Sequence, residues 1–97
     1  MVLGKVVGTV WATRKDEQLV GMTLQIVQPV DLDYQLQAGF VVAVDSVGAG
    51  VGEIVLMAQG SSARQTELTR NKPVDAVIVA IVDKLDVVLE HVEAEAA

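Results

Sequence analysis

Apolar residues occupy both sides of the first segment of the chain. From Val2 to Thr13, Val2, Val6 and Val10 fall on one side and Leu3, Val7 and Trp11 on the other, with Gly4 and Gly8 sharing the first side at four-residue spacing. Small and β-branched residues in this arrangement predict a strand bending around a small barrel. Arg14 to Gln18 is a charged run and reads as a solvated hairpin loop. Met22, Leu24 and Ile26 then alternate with Thr23 and Gln25, the clearest period of two in the chain, which predicts a half-buried strand ending before Pro29. Asp31 to Gly39 is polar and turn-like, Phe40 to Asp45 is a third strand and Glu53 to Gln59 a fourth. Ser62 followed three residues later by Gln65 matches a capping box and predicts a short helix, closed off by Asn71-Lys72-Pro73. Val74 to Val82 is a fifth strand, apolar on both sides apart from Asp75. Beyond it, Leu85, Val87 and Leu89 fit a strand while Leu85, Val88, Leu89 and Val92 fit a helical stripe, and both readings stay open; Glu93 to Ala97 reads as a frayed end. The expected fold is all-β: a small five-stranded OB-like barrel over residues 1–86, with one short helix between strands 4 and 5 and a C-terminal extension over 87–97.

Composition adds an expectation of assembly. A chain of 97 residues is one domain and buries only roughly 60 to 65% of its unfolded surface. Its apolar fraction is 52% but aromatics supply 3%, so twenty valines carry much of the filling. That is more apolar sequence than one small barrel holds, and the surplus is expected to face other subunits.

Charge and cysteine usage remove several classes. A formal charge of −6 opposes a nucleic-acid footprint, which requires basic residues, and opposes anionic membranes. Single-stranded nucleic-acid binding also needs clustered aromatics, whereas Trp11, Tyr34 and Phe40 lie in three separate segments. With no cysteine there is no disulfide framework or thiolate metal site. The longest uninterrupted apolar stretch within the fifth strand is too short to span a bilayer, and the N-terminus reads as a strand instead of a signal peptide, so a soluble cytoplasmic protein is expected.

The candidate chemistry is sparse. The loop from Asp45 to Glu53 contains Gly48, Gly50 and Gly52, but it lies between two strands and ends in Glu53, where a phosphate cradle needs a helix start and a cation. Its glycines suit a tight connection packed against another chain. The lone His91 has no partners for catalysis or metal binding, and Asp31 and Asp33 read as a turn. Ser61, Ser62 and Arg64 suit either a helix cap with an intersubunit ion pair or a small-anion site. No catalytic residue, cofactor or metal is expected.

An ordered set of motifs resembles one family. The Gly-Lys-Val-Val-Gly-Thr-Val run near the N-terminus, then Asp45-Ser46-Val47-Gly48-Ala49-Gly50-Val51-Gly52-Glu53-Ile54-Val55-Leu56, Gly60-Ser61-Ser62-Ala63-Arg64, Pro73-Val74-Asp75 and Ile81-Val82-Asp83 follow the order found in vertex proteins of bacterial microcompartment shells, carboxysomes included. The set covers nearly all of residues 2–86. The resemblance implies a β-barrel that assembles into a ring, usually a pentamer, at the fivefold corners of a polyhedral shell tiled by hexameric proteins. It assigns the loop Gly48, Ala49, Gly50, Val51, Gly52, Glu53 to assembly near the ring axis, and Ser61 to Arg64 to assembly as well. A co-chaperonin is the competing ring-forming reading, but it requires a long mobile loop with an apolar docking tripeptide, which neither Arg14 to Gln18 nor Asp31 to Gly39 supplies.

Overall fold

Valine-rich runs punctuated by glycine and proline form five strands in the computed structural model, which describes residues 1–13 and 15–88. They are β1 (Val2–Val10), β2 (Thr23–Pro29), β3 (Val41–Asp45), β4 (Ile54–Gln59) and β5 (Ala76–Ile81). They close in the order β1-β2-β3-β5-β4. All neighbours pair antiparallel except β3 and β5, which run parallel through Val44 opposite Val77 and Asp45 opposite Ile78. The all-β, five-stranded closed barrel expected from the sequence is therefore present, with each strand within three residues of its predicted limits. Leu89, His91 and Val92, and with them most of the expected C-terminal extension, lie outside the described residues.

The barrel interior is filled by Val6, Val27, Ala43, Val55, Met57, Ala76 and Ile78, with Ala49 at one end. A second apolar layer lies outside the barrel wall, where Val44, Ala58 and Val77 meet Met22, Ala63 and Val74 from the connections. The segment between β4 and β5 thus folds back over the outer face, and the strands it covers are apolar on both sides for that reason.

Three expectations require correction. The alternation in β2 is real, but its polarity is reversed: Gln25 and Val27 point into the barrel, whereas Leu24 and Ile26 are half-buried on the outer face. Burying Gln25 is tolerated because both ends of its amide are bonded: Thr9 Oγ1 donates to Oε1 at 2.6 Å and Nε2 donates to the Ala49 carbonyl at 2.8 Å. In β1 the register shifts between Val6 and Gly8, leaving Val7 as an exposed bulge residue. Gly4 consequently lies against Val27 and Gly8 against Ile26, on opposite sides of the wall, and the two glycines do not share a face. The predicted capping box does not form. A 3-10 turn begins at Gly60 and ends at Arg64, with no side-chain hydrogen bond at its Gln59 cap. A second 3-10 turn, Glu17–Leu19, sits in the β1–β2 connection, where the Asp16 carboxylate accepts from the Gln18 amide.

Candidate functional site

The loop joining β3 to β4 is pinned to the barrel at almost every residue. Asp45 Oδ1 accepts from the Val47 and Gly48 amides, both at 3.0 Å, and Ser46 Oγ donates to the Ile78 carbonyl at 2.6 Å. Ala49 is buried and its carbonyl takes the Gln25 bond described above. Gly50 donates its amide to Glu53 Oε1 at 2.7 Å, and Gly52 donates to the Val6 carbonyl at 2.7 Å. Glu53 is thus turned onto its own loop and helps to hold it, a role no spacing in the sequence announces. Val51, at the tip, remains 64% exposed.

The glycines of this loop serve different ends. Gly48 and Gly52 have φ of 78° and 96°, a left-handed backbone that side chains disfavour. Gly50 has no such requirement: a Cβ built there meets only Glu53 Oε1, at 3.4 Å. The isolated subunit gives no reason for glycine at position 50.

Ser61, Ser62 and Arg64 lie at the other end of β4. Their turn is held by Ala63, buried against the outer wall, whose carbonyl accepts from the Thr69 hydroxyl. Arg64 Nη1 donates to the Val74 carbonyl at 3.2 Å, which ties the guanidinium to the chain just before β5, while Ser61 and Ser62 are exposed. A strand of six residues, roughly 20 Å, separates this turn from the glycine loop. The two candidate segments therefore form two surfaces and not one site. Asp31 and Asp33 prove to be a turn: Asp31 Oδ1 accepts from the Asp33 and Gln35 amides at 2.8 and 3.0 Å. Among the described residues no cluster of three or more potential metal ligands occurs, and no helix is long and apolar enough to cross a membrane.

One set of exposed residues was not singled out by the sequence: Leu32, Tyr34, Leu36 and Phe40, all in or beside the β2–β3 connection. Leu32, Tyr34 and Leu36 alternate with Asp31, Asp33, Gln35 and Gln37, a period of two that suits a strand, but the segment forms a turn with a single bridge at Leu36 and leaves the apolar residues exposed.

With this arrangement in hand, the comparison with known proteins is decisive. The family model described as ethanolamine utilisation protein EutN/carboxysome matches residues 1–83. The chain belongs to the EutN/CcmL family. The shell vertex protein PduN of Salmonella typhimurium is 47% identical over 89 residues, covering 88% of this chain and 98% of PduN. Among solved structures, CcmL of Gloeobacter violaceus superposes with a TM-score of 0.84 at 40% identity, covering 90% of each chain. GrpN of Rhodospirillum rubrum, described as a pentameric microcompartment shell protein, superposes with a TM-score of 0.82 at 44% identity, covering 91% of this chain and 100% of GrpN. The matched region of the family model contains the glycine loop and the Ser61 to Arg64 turn.

Proposed function

We propose that this chain is a structural, non-catalytic subunit of a bacterial microcompartment shell, held in the cytoplasm, where it forms a homopentamer that caps fivefold vertices. The observation that carries the reading is the near full-length match to shell vertex proteins, PduN among them. The physical role is geometric. A flat hexagonal lattice cannot close, and pentamers placed among hexameric shell proteins supply the curvature for closure. The partners proposed are accordingly further copies of this chain and the hexameric tiles around it. The co-chaperonin alternative is not favoured: its mobile docking loop has no counterpart in the 31–39 connection, which is tied back by the Asp31 bonds and by the Gln37 amide donating to the Pro29 carbonyl at 2.8 Å.

Within this ring, the loop from Gly48 to Glu53 is assigned to the region where subunits converge, and the Ser61 to Arg64 turn to a lateral contact. Gly50 supports the first assignment: within the subunit a Cβ there meets only Glu53 Oε1, at 3.4 Å, so a glycine at this place suits close approach of a neighbouring chain. Native mass spectrometry is expected to give five times the chain mass, and the pentamer is expected to bind a hexameric shell protein of the same microcompartment. Gly50→Val, whose Cβ meets only Glu53 Oε1 within the subunit, is expected to cut the pentamer population at least about tenfold while leaving the circular dichroism spectrum unchanged. Undiminished pentamer in that variant would remove the loop from the subunit interface.

A further inference from the structure

Gln25 is out of keeping with its surroundings. Among the described residues the only other buried polar side chain is Thr69, which serves its own turn through Ala63 and Thr66. The remainder of the barrel interior is valine, alanine, methionine and isoleucine. A leucine at position 25 would fill similar space with no polar group to satisfy. A bonded amide in such a setting adds little net stability, because its hydrogen bonds mostly offset the loss of water. What the amide supplies and leucine does not is direction.

That direction is set by chemistry. Thr9 stands opposite Gln25 across the β1–β2 pair, and its hydroxyl donates to Oε1. The Ala49 carbonyl can only accept, so Nε2 is the end that meets it. Ala49 is the one buried residue from Ser46 to Glu53. The flanks of the loop are tied to the wall by other bonds, Ser46 to the Ile78 carbonyl and Gly52 and Glu53 to the backbone of Val6. Across residues 49–51 the other hydrogen bonds stay within the loop, joining Gly50 to Glu53. Among the described residues, the Gln25 amide therefore makes the sole hydrogen bond between the middle of the loop and the barrel wall.

We propose that Gln25 is a positioning residue for the glycine loop: bonded from inside the barrel and oriented by Thr9, it sets where Gly50 and Val51 stand at the barrel end. Without this donor the Ala49 carbonyl is buried and unpaired, and it regains a partner only by reaching water, which draws residues 49–51 outward. The middle of a loop joining β3 to β4 thus takes its support from the β1–β2 hairpin. The bearing of Gln25 on assembly rests on the reading that this loop lies where subunits converge.

Hydrogen exchange on the full chain tests the role with two variants. Gln25→Leu fills the space and removes the donor. Exchange of the Gly50 amide is expected to quicken at least about tenfold, while amides of the β2–β3 ladder keep their protection. Gln25→Glu is the conservative arm: its protonated carboxyl can accept from Thr9 and donate to Ala49, whereas the carboxylate has no proton to give. Burial raises the folded-state pKa of that carboxyl above its unfolded value, so the bond is present at low pH and lost as pH rises through the raised value. No ionisable side chain is buried among the described residues, and Asp45 and Glu53 on the loop are turned to its own amides. Relative to the unsubstituted chain at each pH, loop exchange in Gln25→Glu is expected to be near normal at about pH 5 and to climb toward the Gln25→Leu level by about pH 9. Unchanged Gly50 exchange in Gln25→Leu would overturn the role, as would equal quickening of loop and ladder amides or a Gln25→Glu response without pH dependence. Native mass spectrometry of the same samples keeps the two readings apart. A loosened loop with an undiminished pentamer leaves Gln25 in its role and takes the loop out of the interface; a monomeric mass for the unsubstituted chain overturns the ring, and the exchange result still decides the role of Gln25.

Discussion

Met57→Ala is expected to cost about 2–5 kcal/mol of folding stability, the range for truncating a fully buried large side chain. Met57 is 0% exposed and lies in the barrel interior with Val6, Val27, Val55 and Ile78. Its neighbours belong to strands locked by hydrogen bonds on both sides, so the wall cannot collapse into the space. Against a total of about 5–15 kcal/mol for an ordinary domain, that loss brings the subunit close to unfolding at room temperature. Urea titration of the variant, at a concentration where the ring is intact and again after dilution, would separate subunit stability from assembly. Met57→Leu, which keeps the volume, is expected to lose less than about 1.5 kcal/mol. If alanine and leucine cost the same, packing around Met57 is not what holds the interior together.

Gly4→Ala is the second large effect, and it works in the opposite sense, by overfilling. A Cβ at position 4 falls 2.5 Å from Val27 Cγ1 and 3.1 Å from the Gln28 carbonyl oxygen. Val27 is fully buried, and the backbone of β2 is fixed by its pairing with β1, so neither neighbour can withdraw freely. The expected cost is about 1–3 kcal/mol. Gly8→Ala provides the comparison within the same strand, since its Cβ would meet nothing nearer than Ile26 Cδ1 at 3.4 Å, and it is expected to change stability by less than about 0.5 kcal/mol. Equal shifts in the urea midpoint for the two variants would contradict the bulge that places these glycines on opposite sides of the wall.

The strands were legible because valine and isoleucine runs bounded by glycine, proline and charged clusters carry their own limits. Which side of each strand faces inward was not legible, and β2 shows why. A wall with an apolar interior and an apolar outer layer removes the contrast on which alternation depends, so Leu24 and Ile26 looked like the core while Gln25 was inside. Nothing local to Gln25 reveals that Thr9 and Ala49 satisfy its amide, because both partners are distant in sequence. The β1 bulge was hidden for a similar reason: Gly4 and Gly8 keep a regular spacing, and one extra residue between them reverses the parity. The glycine loop was recognisable as a tight connection, but the separate demands on Gly48, Gly52 and Gly50 needed backbone angles. Leu32, Tyr34 and Leu36 of the β2–β3 connection do keep a period of two, but alternation alone does not tell an exposed apolar row from a buried one.

The parallel seam between β3 and β5 has a consequence for how the chain reaches this structure. β1, β2 and β3 can zip in chain order as antiparallel neighbours, but closure waits until β5 returns to β3 across the whole of β4 and its long connection. Distant pairings of this kind are slow because loop entropy is lost before any contact repays it. The expected order is an early β1–β2–β3 meander and late closure; in pulse-labelled hydrogen exchange, protection of the seam amides at Val77 and Ile78 before those of Leu24 to Val27 would contradict it. Until the seam shuts, two valine-rich edges stand open to the edges of other unfinished chains, so the kinetic hazard in making this subunit is mispairing between newly synthesised copies before each has closed upon itself.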